Sequence, residues 1–283
     1  MARSEQLNDP KNNTIISTSD NSFITSTAII AANDGRNTSP SDNATCAHKG
    51  KAGDNCSSPD WLTVARSFEG LHEGGKGYIG QKGYTKEGES EAVLMFNKES
   101  EFEGIAKDNN FKTFDDGAAW CGSFVNWCLV QTKNPKKGEN YPTIKSAYKA
   151  AAWEKYGKET KPCLGTILVI QSVFSDSKGP GGKHVTFVVG KRNKKIDDRY
   201  YERYEKAFKF QKIKIGSIIE EYLCLGGNQD DEVKFKYYGA AHRFVTFCIP
   251  EGYKPCDDDY KLDNNSYTNF YNDDDDNSAG KIR

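Results

Sequence analysis

Two cysteines near the middle of the sequence are predicted to have different roles. They lie in the stretch GAAWCGSFVNWCLVQ, residues 117–131, whose helical apolar face consists of Phe124, Val125, Cys128 and Leu129. Cys128 belongs to that face and is predicted to be a small buried residue. Cys121 lies where the helix begins, and the helix dipole and the unpaired N–H groups there favour a thiolate. The same N–H groups could hold an oxyanion, so Cys121 is predicted to be a nucleophile.

A cysteine nucleophile needs a base, and the chain has only four histidines. His184 begins the strand-like run HVTFVVG directly after a glycine-rich turn, so its imidazole could project from the lip of a sheet. The other three are His48 in a polar N-terminal stretch, His72 beside a glycine-rich loop and His242 at the start of the last predicted strand. His184 is therefore predicted to be the base. A third residue should orient the imidazole, and in LGGNQDDEV the first candidate is Asn228 and the second is Gln229.

The elements that must position these residues change in type along the chain. Helices are predicted from residue 58 onward and over about 89–106, 117–131 and 143–158. Short β-rich runs follow at 165–174, 184–191, 217–229 and 243–250. Helices first and strands afterwards predict an α+β fold, with the helices packed on an antiparallel sheet. The G-x-G-x-x-G at residues 75–80 is interpreted as a loop, because a helix precedes it and a dinucleotide site needs a strand there.

The two ends of the chain differ in composition from its middle. Residues 1–57 are rich in Asn, Ser, Thr, Asp and Gly and are predicted to be a flexible polar arm. Residues 58–256 are predicted to form the folded domain, and residues 257–283 a flexible acidic tail. The run 191–214 holds ten Lys and Arg against four Asp and Glu. It is interpreted as a basic insertion at about 191–216, either a solvated face or a patch for an anionic polymer, an acidic partner or the acidic tail.

Charge and hydropathy narrow the classes of function. The net charge is only −1, which argues neither for nucleic acid nor for an anionic membrane as a partner, so no nucleic acid partner is predicted. No apolar run is long enough to span a membrane, so no membrane insertion is predicted. The run FITSTAIIAA lacks the basic flank of a Sec signal, so synthesis in the cytoplasm without Sec export is expected. Eight cysteines form no C-x-x-C pair, so no metal site is predicted, although Cys46, His48 and Cys56 are the alternative. Disulfides Cys46–Cys56 and Cys248–Cys256 are close enough in sequence to form.

The ordered set of motifs resembles a known family. DWLTVARSFEGLHE, AAWCGSFVNWCL, KHVTFVVG and CLGGNQDDEVKF occur in this order over residues 58–250. They resemble the CHAP family, the cysteine, histidine-dependent amidohydrolases/peptidases. The resemblance implies a papain-like fold, Cys121 as nucleophile, His184 as general base and Asn228 as orienting residue. It also implies amide-bond cleavage in bacterial peptidoglycan without metal or organic cofactor. The chain departs from the family pattern at Lys183, where the family has glycine, and in the basic insertion.

The expected function is thus a peptidoglycan amidase or endopeptidase that acts in the periplasm or cell wall of a target bacterium. The favoured interpretation is an antibacterial effector delivered by a secretion apparatus, with a component of that apparatus and a cognate immunity protein as partners. A phage endolysin of the same chemistry is the first alternative. The others are a cysteine peptidase or amidase on a non-wall substrate, and an inactive binding module that has kept the fold.

Overall fold

The computed structural model describes residues 59–100, 119–173, 182–239 and 241–264. Its α-helices are α1 (Asp60–Arg66), α2 (Glu91–Glu99), α3 (Cys121–Val130), α4 (Asp198–Arg203) and α5 (Glu205–Gln211). Its strands are β1 (Lys158–Glu159), β2 (Ile167–Ser172), β3 (Lys183–Lys195), β4 (Ile218–Gly226), β5 (Lys234–Tyr238) and β6 (His242–Ile249). Short 3₁₀ turns occupy Lys76–Tyr78, Ala150–Lys155, Asp257–Tyr260 and Leu262–Asn264. The predicted polar arm lies outside the described residues.

The strands form one six-stranded antiparallel sheet in the order β1-β6-β2-β3-β4-β5. Helices α1, α2 and α3 precede the sheet in the chain, so the predicted α+β class with an antiparallel sheet is confirmed. The sheet is strongly curled, since Tyr238 on β5 and His242 on β6 have ring centroids only 5.0 Å apart. This closure brings residues of four strands together at one end of the sheet.

Helix α3 is the central helix of the core. Phe124, Val125 and Cys128 are fully buried and Leu129 is nearly so, which confirms the predicted apolar face and the structural role of Cys128. Both faces of the central strands are also buried: every residue from His184 to Val189 is at most 3% exposed. Helix α3 therefore packs directly on β3 and β4, and its first residue comes close to the strand that carries His184.

One predicted helix is absent, and another is described only in part. Residues 143–158 do not form the predicted α-helix, because Ser146 has a left-handed φ of +58° that ends any helix started before it. The 3₁₀ turn Ala150–Lys155 follows instead, and the indole of Trp153 donates a hydrogen bond of 2.8 Å to the Ala147 carbonyl. The helix predicted at 89–106 is present as α2, and the described chain stops at residue 100 there.

The fold continues past the predicted domain end at residue 256. Leu262 is 2% exposed, and buried Asp259 accepts hydrogen bonds from the Tyr253 hydroxyl and the Cys256 N–H. Cys256 is disulfide-bonded, whereas Cys248 has a free thiol, so the Cys248–Cys256 pair is wrong. Cys46–Cys56, like the alternative metal cluster around His48, lies outside the described residues.

The basic insertion is tied to the sheet by a buried carboxylate. Strand β3 runs on through Lys195, so the excursion proper consists of α4, α5 and their flanking turns. Glu221 of β4 is fully buried and receives hydrogen bonds from the Arg192 guanidinium at 2.7 and 2.8 Å and from the Tyr200 hydroxyl. The guanidinium also lies 3.5 Å from the centre of the Tyr237 ring. Within the described ranges, no helix has the length and apolarity to cross a membrane.

Candidate active site

Cys121 is the first residue of α3, as the sequence predicts, and it is only 4% exposed. The backbone N–H groups of Val185, Gly122 and Cys121 itself lie near its thiol. Burial raises the pKa of the thiol, these three donors lower it, and the pKa as a whole is raised. The thiol is therefore neutral at pH 7 in this buried position.

Two small residues beside Cys121 have packing roles. A Cβ at Gly122 would collide with the backbone carbonyls of Ala147 and Tyr148, so glycine is required for the close approach of that segment. The Ser123 hydroxyl is fully buried and lies 2.8 Å from the Ser100 hydroxyl at the end of α2. These packing contacts explain why small residues occupy positions 122 and 123.

The start of α3 is also fixed by Trp120. This indole is fully buried and donates a hydrogen bond of 3.1 Å to a carboxylate oxygen of Glu73. The backbone N–H of Glu73 in turn bonds to the Asp231 carbonyl, just after the turn that follows β4. The position of Cys121 is thus coupled through Trp120 to the loop that carries the candidate third residue.

His184 lies in β3 and is 3% exposed. Among the described residues its Nε2 atom has no hydrogen-bond partner. Desolvation by burial, and next the charge of Lys236, lower the pKa of His184 to about 4, while Gln229 and Asp230 act in the opposite direction. The imidazole is therefore neutral at pH 7, which is the form that a general base needs.

Gln229, the second candidate for the orienting residue, is the one within hydrogen-bonding reach of His184. It is 1% exposed, and its Oε1 accepts a hydrogen bond of 3.0 Å from the Tyr238 hydroxyl. Its amide group donates to the Lys234 carbonyl. Asn228, the first candidate, is half-buried and has a left-handed φ of +56°. Asn tolerates that conformation well, so Asn228 reverses the chain and directs the next residue, Gln229, back into the sheet.

The two glycines before Asn228 complete the explanation of the sequence GGNQ. A Cβ at Gly226 would collide with the Thr186 hydroxyl of β3, and a Cβ at Gly227 would collide with the rings of Trp120 and Phe124. Gly226 therefore lets β4 approach β3, and Gly227 lets the turn approach the start of α3. Together they place Gln229 between the helix start and the histidine strand.

Three further residues belong to this end of the sheet and were not predicted to act in the site. Lys236 is buried and binds both carboxylate oxygens of Asp230, at 2.9 and 3.0 Å. The Tyr238 ring lies between two histidines, with centroids 5.7 Å from His184 and 5.0 Å from His242. His242 has a buried Nδ1 without a hydrogen-bond partner among the described residues. Desolvation first, then Lys236 and His184, lower the pKa of His242 to about 3.

The alternation in VKFKYY, residues 233–238, was the available sequence signal for these residues. Lys234, Lys236 and Tyr238 occupy every second position of β5 and so project to one face. A lysine on the inner face of a buried strand is expected to have an acidic partner, because an unpaired buried charge is costly. The sequence interpretation placed strands at 217–229 and 243–250 with none between them, and therefore missed both this strand and its polar face.

The structure thus brings the predicted residues into one region with one exchange. Cys121 lies against β3 at Val185, the residue next to His184, and Gln229 rather than Asn228 lies at His184. Both groups are buried, and among the described residues Nε2 of the imidazole has no hydrogen-bond partner. No group of three or more His, Cys, Asp and Glu that could hold a metal occurs among the described residues.

Comparison with known proteins finds no relative: no family model, no curated protein and no solved structure matches this chain. Its function must therefore be inferred from the residues and their geometry.

Proposed function

We propose that this protein is a cysteine hydrolase with a papain-like arrangement, and that it cleaves amide bonds of bacterial peptidoglycan as CHAP enzymes do. One observation carries the proposal. A cysteine at the start of a helix packs against strand β3, whose buried and neutral histidine has Gln229 beside it. The order and the residues of the four motifs resemble those of CHAP enzymes, which supports the wall peptide as the substrate.

In the proposed reaction the thiol and imidazole start as a neutral pair. His184 takes the thiol proton as Cys121 Sγ attacks the amide carbonyl, which forms the S–C bond of a tetrahedral intermediate. The N–H groups of Cys121 and Gly122 then stabilise the negative oxygen. His184 gives its proton to the leaving amine as the C–N bond breaks. Water, deprotonated by His184, releases the acyl group and restores the thiol.

Gln229 and Lys236 would act on the base rather than on the substrate. The Oε1 of Gln229 can accept a hydrogen bond from a ring N–H, which fixes the ring and stabilises the imidazolium that forms during attack. Buried Lys236 has the opposite electrostatic effect and keeps His184 neutral before the reaction. The disulfide at Cys256 supports action in an oxidising compartment such as the periplasm or the outer surface of the wall.

The test is digestion of purified sacculi followed by mass spectrometry of the released muropeptides. The wild type is expected to release products that Cys121→Ala does not, and their masses identify the bond. Intact stem peptides indicate an amidase, and shortened or uncrosslinked stems indicate an endopeptidase. Cys128→Ala is the matched control, because it removes the other thiol of the same helix and should keep the products. Folded wild-type protein that leaves sacculi of several wall types unchanged would refute the proposal.

Delivery is tested by expressing the protein in a bacterial host with and without a periplasmic targeting signal. An effector that acts on the wall should lyse cells only when it is sent to the periplasm, and Cys121→Ala should be harmless there. Toxicity that is confined to cytoplasmic expression would instead indicate a substrate other than the wall.

A further inference from the structure

The second half of the basic insertion presents an unusual surface, which we call the basic strip, residues 206–218. Phe210, Ile215 and Ile218 are 68, 53 and 69% exposed, and they are three of the five large apolar side chains that are exposed among the described residues. The strip also carries four exposed lysines, at positions 206, 209, 212 and 214, and contains no acidic residue, although Lys209 lies 2.6 Å from Glu205 just before it. Such a combination of apolar and cationic groups fits an acidic segment that also carries aromatic rings.

The described chain ends close to this strip. Leu262 is buried, and an Asp263 carboxylate oxygen lies 3.7 Å from the Lys191 ammonium. In the β3–β4 register Lys191 pairs with Tyr222 and Lys195 pairs with Ile218. Because positions two and four apart in a strand share a face, Asp263 meets the sheet on the face that carries Ile218. The chain therefore leaves the fold on the side of the basic strip.

The remaining residues, which we call the terminal segment, 265–283, have the complementary composition. Three aromatic residues, Tyr267, Phe270 and Tyr271, precede four consecutive aspartates, Asp273–Asp276. Ile218 lies four β3 positions from Lys191, about 13 Å along the sheet. The chain between Asn264 and Asp273 can extend to about 30 Å, which is enough to reach the strip.

We propose that the terminal segment docks on the basic strip of its own chain. The four aspartates add negative charge opposite the lysines of the strip, of which Lys209 already has Glu205 as a partner, and the three aromatic rings cover the three exposed apolar side chains. Linkage to Asn264 gives the segment a high effective concentration at the strip, so weak contacts suffice. The strip lies near Lys195, eleven residues and about 36 Å along β3 from His184, so docking is independent of the proposed hydrolysis.

Hydrogen exchange of the full chain tests this contact without any activity measurement. Amides of residues 209–218 are expected to exchange about tenfold more slowly in the wild type than in a full-length variant with Asp273–Asp276 all changed to Asn. About 1 M salt should remove most of that protection from the wild type, because the pairs are at the surface. The variant Asn265→Ala with Thr268→Ala is the control, since it changes the same segment without its charges or rings and should retain protection.

Two results would overturn the proposal. Equal exchange of 209–218 in the wild type and the Asn variant at low salt would mean that the aspartates do not cover the strip. Protection that grows with protein concentration, together with a larger mass in solution, would mean that the strip binds the segment of a second copy instead. Neither result bears on Cys121 or on sacculus digestion.

Discussion

At the scale of residues, the candidate site contains more polar groups than a nucleophile and a base. His184 and His242 are both held neutral by burial, and Lys236, itself paired with Asp230, adds a positive charge that opposes protonation of either ring. Gln229 is the group that can stabilise the charged imidazole at the ring itself. The balance between Lys236 and Gln229 would thus set how readily His184 accepts a proton.

The first prediction separates the two candidates for the orienting residue. Gln229→Ala should lower kcat about 100-fold with a smaller effect on KM, because the ring loses its partner during proton transfer. Asn228→Gly removes the neighbouring side chain, keeps the left-handed turn and should change kcat less than about threefold. The measurement is the initial rate of release of soluble wall fragments. A larger loss in Asn228→Gly than in Gln229→Ala would restore Asn228 as the orienting residue.

The second prediction concerns the dependence of stability on pH. The folded pKa values of His184 and His242, about 4 and about 3, lie below the ordinary value of 6.5, so the unfolded chain binds more protons in acid. Stability is therefore complete above pH 6.5 and is lost as the pH falls towards 4. Between pH 7.5 and 5 we expect a loss of about 2 kcal/mol for each histidine in the free energy of unfolding.

Urea unfolding at pH 7.5, 6 and 5 measures this loss. His242→Gln should reduce the loss by about half, because one buried neutral imidazole has been removed and His184 remains. A free energy of unfolding that stays constant over this range would show that the histidines are not held neutral in the folded state.

At the scale of elements, sequence periodicity predicts the helices and strands that have a repeating apolar pattern. It misses elements whose conformation is set by a single tertiary contact. The apolar face of α3 and the four longer strands follow from period and composition. The two-residue strand β1 exists only through its pairing with β6, which no local pattern encodes. The helix predicted at 143–158 does not form, because Ser146 is left-handed and the chain after it packs against Gly122.

The same distinction holds for the candidate site. Cys121 and His184 could be proposed from sequence because Cys121 lies at a helix start and the chain has only four histidines. The choice between Asn228 and Gln229 could not, since it depends on a turn whose residues Asn228, Asp230 and Asp231 are all left-handed. Lys236 and His242 depend on the curling of the sheet, which brings β5 to β6 and is a property of all six strands.

The third prediction tests the packing of the turn between β4 and β5. Gly227→Ala would force its Cβ into the rings of Trp120 and Phe124 and should reduce the free energy of unfolding by about 1–3 kcal/mol. Gly77→Ala is the matched control, because a Cβ at that position would have no heavy atom within 4 Å, and its effect should stay within about 0.5 kcal/mol. Denaturant midpoints measure both. Equal effects of the two substitutions would contradict the close approach of the turn to α3.

At the scale of the whole molecule, the basic insertion is integrated with the sheet rather than appended to it. The carboxylate of Glu221 joins three elements, since it accepts from Arg192 on β3 and from Tyr200 on α4 while it lies on β4. Arg192 also stacks on Tyr237 of β5. A buried carboxylate with these partners makes the excursion and the sheet one cooperative unit. If α4 detached, Glu221 would lose its hydrogen bond from Tyr200 and its pair with Arg192 would be exposed to solvent.

The fourth prediction follows from this network. Glu221→Ala leaves the Arg192 guanidinium without its partner in a largely buried place, and it should lower the free energy of unfolding by about 3–5 kcal/mol. Glu205→Ala removes an exposed partner of Lys209 in the same insertion and should cost less than about 1 kcal/mol. Thermal unfolding followed by circular dichroism measures both changes. If the insertion is integrated, Glu221→Ala should shift a single transition for helix and sheet signals alike. A separate early transition of the helical signal, with the sheet unchanged, would show instead that the insertion unfolds independently.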